Sequence, residues 1–290
     1  MEKGFEKLLV VDGNNLLYSS YHAFHKLSWK IENGAIFLFL RVLISILKRN
    51  IYQRLLVVFD GGGSNFRQLL LSQYKAQREK MPEDLLKQME TLKLLLIKVN
   101  ITYVQLVNHE ADDVIASFVT QNSLKHPDAV FDIFTRDKDL LQLIDKKSNI
   151  LKYVEKKITL YTEKNFNHDY GFLPQSYVDY LSLLGDNVDN IKGIKGIGPV
   201  SARKLIQQFQ TIENIYQQIN NLPENFRKLL EDQKDLVICN KKIVNLEKNI
   251  FLSPEIYENC NFNWEEWKNN KELRNFCYEN SFNSIIKLLN

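Results

Sequence analysis

Carboxylates recur in this sequence wherever an apolar run stops. Asp12 follows KLLVV, Asp60 follows LLVVF, and Asp137 and Asp139 come just after VFDIF. The densest group is NHEADDVIASF at 108–118, where Glu110, Asp112 and Asp113 stand together at the start of a helical pattern. Acids favour a helix N-terminus through the backbone dipole, so two of them would read as a charged cap. Three that close repel one another, and the cost is relieved by raised pKa values or by a bound cation. Asp186 and Asp189, in GDNVDN, add two more. The five histidines (His22, His25, His109, His126, His168) show no HExxH or similar pairing. A set of hard oxygen ligands points to Mg²⁺ or Mn²⁺ rather than zinc. So many acids exceed what one Mg²⁺ requires, and two ions suit phosphoryl chemistry, activating a water and stabilising an in-line displacement.

For these acids to act together, the chain must bring them to one place. Residues 7–11 and 55–59 are short continuous apolar runs rich in β-formers, which reads as buried strands. Further strands are expected at 101–106 and 130–134, with a hairpin or two edge strands at 149–154 and 157–161. Helical patterns cover 16–24, 35–48 and 82–99, and in the acidic segment Ala111, Val114, Ile115 and Phe118 share one helix face. Strands alternating with helices predict a mainly parallel α/β sheet. In such sheets ligands bind along the edge formed by strand C-termini. Asp12, Asp60, Glu110, Asp112, Asp113, Asp137 and Asp139 should therefore converge. Any one of them could be a turn or cap aspartate. Four strands all followed by acids are harder to explain that way.

Composition narrows the class. The 290 residues are 44% hydrophobic and 25% charged, as in ordinary soluble proteins, and suggest about two domains at ~150 residues each. Three cysteines without CxxC spacing offer neither a disulfide framework nor a zinc site, and a cytoplasmic setting fits. No signal peptide is recognisable, and the longest apolar stretch, 35–47, is broken by Arg41 and is shorter than the ~20 residues a bilayer requires, so no membrane association is expected. The net charge is only +3, but between positions 190 and 212 four basic residues occur with no acidic one. That segment can meet a polyanion.

It contains GIKGIGPVSARKLI, residues 193–206. Glycines allow a tight turn, Pro199 suits the first turn of a helix, and the amides near Gly196 and Gly198 can meet a phosphate. GxxxxGK[ST] is absent and no strand precedes the turn, which excludes a P-loop and a dinucleotide fingerprint. A helix-hairpin-helix that grips a nucleic-acid backbone remains.

VVDGNNLLY, VVFD, YKAQR, HEADDVIA, TRDKDLLQL and LLGDNVDNIKGIKGIGPVSARKLI, in this order across essentially the whole chain, resemble the bacterial 5′-nuclease family. That family comprises the 5′-3′ exonuclease domain of DNA polymerase I, its stand-alone versions and, more distantly, the flap endonucleases. The resemblance implies an α/β fold: a mainly parallel central sheet flanked by helices, of resolvase-like or PIN-like type, with a helical arch near 66–98. A smaller helix-hairpin-helix domain is expected to follow. The expected divisions are 1–170, 171–262 and a C-terminal helical segment, 263–290, packing on the core.

By the same resemblance, Asp12, Asp60, Glu110 and Asp112 hold a first metal with Asp113 adjacent, and Asp137, Asp139, Asp186 and Asp189 hold a second. Lys75 and Arg78 of the arch would stabilise charge on the scissile phosphate, the alternative being a solvated helix face. Tyr18 would stack on a terminal base, an interaction worth ~1–3 kcal/mol, or else be a core tyrosine. Tyr74, Lys195, Gly196, Gly198, Ser201, Arg203 and Lys204 would touch DNA, and backbone carbonyls at 193–198 would bind K⁺. The implied protein is a monomeric, stand-alone two-Mg²⁺ enzyme, with Mn²⁺ able to substitute. It would cut DNA at 5′ ends, flaps and duplex junctions, and RNA primers on DNA, leaving 5′-phosphates, in partnership with a separate DNA polymerase. A non-catalytic junction-binding protein of the same fold is the rival, and a small toxin-like ribonuclease would lack the second domain.

Overall fold

Alternate residues of the first strand, β1 (Glu6–Asp12), face opposite ways, and each way meets a core. Leu8 and Val10 belong to one buried cluster, Leu9 and Val11 to another, and all four are fully buried. A strand covered on both faces has no polar side to alternate, which is why it reads as an unbroken apolar run. The computed structural model describes residues 6–26, 32–63, 66–154 and 157–290. Among these, β1, β2 (Arg54–Asp60), β3 (Thr102–Leu106), β4 (Ala129–Phe134), β5 (Ser148–Val154) and β6 (Lys157–Tyr161) form one sheet in the order β3-β2-β1-β4-β5-β6. The pairs among β1 to β5 are parallel and β5–β6 is antiparallel, so the sheet is mixed but mostly parallel.

The helices α1 (Gly13–His25), α2 (Gly34–Leu47) and α4 (Glu83–Lys98) cover one face. The C-terminal segment returns to that face: Trp267, Leu273, Phe282, Ile285 and Leu289 are buried with them. On the other face lie α5 (Ala111–Lys125) and the second unit, whose helices include α6 (Glu163–Tyr170), α7 (Tyr177–Leu184) and α8 (Pro199–Phe209). Pro199 opens α8, as its ring geometry favours.

The strand order reverses direction between β1 and β4, and this is where an open α/β sheet has its crevice. One expectation is not met. The stretch 66–98 is helical only at its ends, in the five-residue α3 (Phe66–Leu70) and in α4. Residues 71–82 form a strap of turns, in which Lys75 has a left-handed backbone with φ of 54°. The cause is tertiary, because the strap is drawn onto acids from distant parts of the chain.

A second local device positions acids. Gly185 ends α7 with φ 68° and ψ −171°, a conformation open essentially to glycine alone. It starts a two-residue ladder, Gly185–Asp186 against Ile191–Lys192, that pinches 187–190 into a tight hairpin. A Cβ at position 185 would lie 2.3 Å from the carbonyl oxygen of Ile191. Gly185→Ala is therefore expected to lower stability by at least about 1–3 kcal/mol, read as a reduced urea midpoint with an unchanged m-value. A neutral result would contradict the role assigned to this turn.

Candidate active site

Asp12 is the N-cap of α1: its Oδ1 accepts from the Asn15 amide at 3.0 Å, and its Oδ2 accepts from the Thr135 hydroxyl at 2.9 Å across the β1/β4 crevice. Asp60 ends β2 and accepts from the Ala111 amide at 2.7 Å, so the second strand end is tied to the first turn of α5. Glu110 is the N-cap residue of α5, and Asp112 lies in its first turn. Asp137 accepts from the Asp139 amide at 2.9 Å. Asp12, Asp60, Glu110, Asp112 and Asp137 all line one cavity of about 640 Å³.

The second unit completes the arrangement. Carboxylate oxygens of Asp139, Asp186 and Asp189 lie within 4.8 Å of one another, as do those of Glu110, Asp112 and Asp113. The Oδ1 of Asp139 is buried without a hydrogen-bond partner among the described residues. An orphaned carboxylate oxygen facing two more carboxylates is costly unless a cation meets it. The donor set is all oxygen, which suits a hard divalent ion, and the residues present fit one at each cluster.

Burial first, and then the neighbouring acids, push Asp139 up to about 8. Burial likewise raises Asp12 to about 7, with Asp60 and Asp137 contributing. Asp112 is raised well above the usual carboxylate range by burial and by Asp113. Glu110 goes the other way: burial would raise it, but Lys75 and Arg67 overcome that and hold it low.

Those cations come from the strap and its root. Lys75 Nζ reaches Glu110 at 2.5 Å and lies 3.9 Å from Asp189, and Arg78 pairs with Asp189 at 2.6 Å. Lys138 pairs with Asp186 at 3.0 Å. Arg67 was not singled out as a site residue, yet it is 2% exposed and forks onto Asp113 at 2.5 and 2.7 Å, with a further bond to Glu110 at 3.1 Å. Its Nε donates to the Ile243 carbonyl at 2.7 Å, linking the acids to the second unit. Thr135, Asn15 and Asn14, which bonds the Asp60 amide at 2.9 Å, were also missed. The only signal for them was their place beside strand-end acids.

Asp113 accepts from Arg67 through both oxygens and from the Glu247 amide at 2.8 Å, so it ties the first cluster to the core while its carboxylate stays within 4.8 Å of those of Glu110 and Asp112. One expected role is corrected. Tyr74 is 4% exposed and donates its hydroxyl to Glu110 at 3.0 Å, so it buttresses the acids from below and presents no surface to DNA. Tyr18 lines the cavity, with His22 one turn on at a ring separation of 5.7 Å. Lys195, Gly196, Gly198, Arg203 and Lys204 are exposed and Ser201 is half-buried, all on the α8 side of the second unit rather than in the cavity.

Family models bear on this arrangement. One described as the 5′-3′ exonuclease N-terminal resolvase-like domain matches residues 7–171, and one described as the 5′-3′ exonuclease C-terminal SAM fold matches 172–270. The chain belongs to the 5′-3′ exonuclease family. A 5′-3′ exonuclease of Mycoplasma genitalium is 33% identical over 264 residues, covering 87% of this chain and 89% of that protein. A DNA polymerase I of Caldicellulosiruptor bescii is 34% identical over 290 residues, covering 98% of this chain and 33% of the polymerase. A crystal structure of bacteriophage T5 flap endonuclease, a pseudo-enzyme–product complex with DNA and metal ions, has a TM-score of 0.67 at 21% identity, covering 98% of this chain and 99% of that one. The catalytic core of Rad2 in complex with a DNA substrate gives 0.59 at 19%, covering 99% and 92%. At those identities the likeness is one of fold.

The raised carboxylates have a consequence for stability. An acid whose folded pKa lies above its unfolded value, near 4, stabilises the fold below about pH 4 and loses that contribution as pH rises through the folded pKa. For Asp12 and Asp139 the loss runs from about pH 4 to pH 7 and 8. In a chelator the urea midpoint should therefore fall across that window. A divalent cation should raise it more at pH 8 than at pH 6, because ligands must be deprotonated. Equal increments at both pH values would contradict the placement of these acids at a cation site.

Proposed function

We propose that this chain is a two-metal, structure-specific 5′-3′ exodeoxyribonuclease and 5′-flap endonuclease that leaves 5′-phosphates, in primer removal and DNA repair. The observation that carries the reading is the cluster of Asp139, Asp186 and Asp189, drawn from both units of the chain and with an orphaned oxygen on Asp139, alongside the cluster of Glu110, Asp112 and Asp113, with Lys75 reaching an acid of each. Asp12, Asp60, Glu110 and Asp112 would hold one Mg²⁺, and Asp137, Asp139, Asp186 and Asp189 the other, with Mn²⁺ able to replace either. Bound there, divalent ions would lower the pKa of a water and offset the charge of an in-line displacement at phosphorus.

The chain's own groups do the rest. Asp113 and Arg67 keep Glu110 aimed at the cavity. Lys75 and Arg78 sit where they can neutralise the phosphate that enters. Tyr18 offers a face to an unpaired base at the 5′ end. Lys195, Arg203, Lys204, Ser201 and the amides around Gly196 and Gly198 would track the duplex backbone without reading bases. The turn at 193–198 would take K⁺. No described helix is long and apolar enough to cross a membrane. A cytoplasmic monomer acting beside a separate DNA polymerase is the setting we infer, and RNA primers on DNA fall within the proposed substrates.

Cleavage of a 5′-flap duplex with Mg²⁺ and with a chelator tests the reading, and binding without Mg²⁺-dependent cleavage would favour a non-catalytic junction-binding protein. Asp139→Asn is expected to abolish turnover while duplex affinity stays within about twofold, measured by single-turnover cleavage and by fluorescence anisotropy. Lys75→Ala should lower the single-turnover rate by about 10²–10³ with little change in affinity. Full activity in either variant would overturn the assignment.

A further inference from the structure

The strap 71–82 is held shut by more than its three ion pairs. Gln77 Nε2 donates to the Val188 carbonyl at 2.9 Å and to the Asn187 carbonyl at 3.3 Å. The Lys75 amide donates to the Asp189 carbonyl at 3.1 Å, and Asn190 Nδ2 donates to the Gln73 carbonyl at 3.0 Å. Every one of these bonds ends in the 187–190 hairpin, the segment that carries Asp189. The two feet of the strap are anchored separately. Arg67 fixes one to Asp113, and at the other the Tyr21 hydroxyl bonds both oxygens of Asp84 at 2.8 and 2.9 Å. Tyr74 is buried in one core and Met81 packs against the other, so the part of the strap that can leave the hairpin without disturbing either core is 75–80, between them. Lys75 is also strained in its closed position, since a left-handed backbone is unfavourable for a lysine.

Lys75 and Arg78 reach Glu110 and Asp189, one residue from each carboxylate cluster. A cation on either carboxylate competes with the strap for the same oxygens. We propose that the strap is a latch released by divalent-cation binding, with Gln77 as the positioning residue that sets how strongly closure opposes metal loading. Loading would free Lys75 and Arg78 together, so that they turn from protein carboxylates to the substrate phosphate. The coupling is reciprocal: the factor by which metal binding weakens closure is the factor by which closure weakens metal binding. This rests on the metal assignment above and adds to it the coupling to the strap.

Two measurements on the full chain without DNA test it: Mg²⁺ binding by titration calorimetry, and tryptic nicking within the strap at Lys75, Arg78 and Lys80, located by fragment mass. Saturating Mg²⁺ should speed strap nicking. Gln77→Ala, at an exposed position outside the site, should speed nicking in chelator and tighten Mg²⁺ about fivefold, the factor expected for losing about one net hydrogen bond. Mg²⁺ that binds but leaves strap nicking unchanged or slower overturns the proposal and leaves the metal reading standing. So does a Gln77→Ala chain that nicks faster with unchanged Mg²⁺ affinity. If Mg²⁺ does not bind at all, both fall.

Discussion

Like charge at short range in a partly dry crevice is the constraint on which the rest of this molecule depends. Two carboxylates 4.8 Å apart repel by about 3.5 kcal/mol at an effective dielectric of about 20. Each cluster has three such pairs, so the repulsion in one cluster alone rivals the total stability of a typical domain, ~5–15 kcal/mol. The fold must meet that cost with protons, fixed cations or bound ones. The raised values of Asp12, Asp112 and Asp139 are the proton answer. Arg67, Lys75, Arg78 and Lys138 are the fixed-cation answer.

Arg67 differs from the other three because it cannot move. Its guanidinium is buried, bidentate on Asp113, and bonded to carbonyls at Ile243 and Asn245. Breaking a buried pair of this kind leaves an uncompensated charge, at ~3–5 kcal/mol. It therefore joins the wall of the first cluster to the second unit, which delivers Asp186 and Asp189 to Asp139. Lys75, Arg78 and Lys138 sit at the rim and hold their acids by side chains that can swing. The division is between a cation that builds the site and cations that can be exchanged within it.

Much of this was legible in the chain itself. Buried strands read as apolar runs, and the acids after them had to gather at one edge of a parallel sheet, as Asp12, Asp60, Glu110 and Asp137 do. Gly185 and Pro199 mark their turns by backbone chemistry that only those residues satisfy well. What could not be read locally depends on partners far along the chain. Asp113 looks like Asp112 in sequence, and only the Glu247 amide, 134 positions away, and Arg67 turn it inward. Tyr74 lies in a basic, polar stretch that reads as surface, and Glu110 draws its hydroxyl inside. The helical arch implied by the resemblance gives way to turns at 71–82, where ion pairs and hairpin carbonyls hold the chain and a short isolated helix would be only marginally stable.

A polyanionic pocket is an improbable place to receive a polyanion, and this is where the exchangeable cations acquire meaning. A phosphate entering a ring of unneutralised carboxylates would meet the same repulsion that the carboxylates meet among themselves. Cations must therefore stand between protein and substrate at every stage, whether they are side chains or metal ions. Lys75 and Arg78 are suited to both duties because they are long, they line the cavity wall, and the strap between them is held to the hairpin by single hydrogen bonds rather than by core packing. A cation fixed as rigidly as Arg67 could neutralise the acids but could not follow the charge to the phosphate. The mobile strap and the immobile arginine are thus two solutions to one electrostatic problem, separated by whether the charge they balance stays in place.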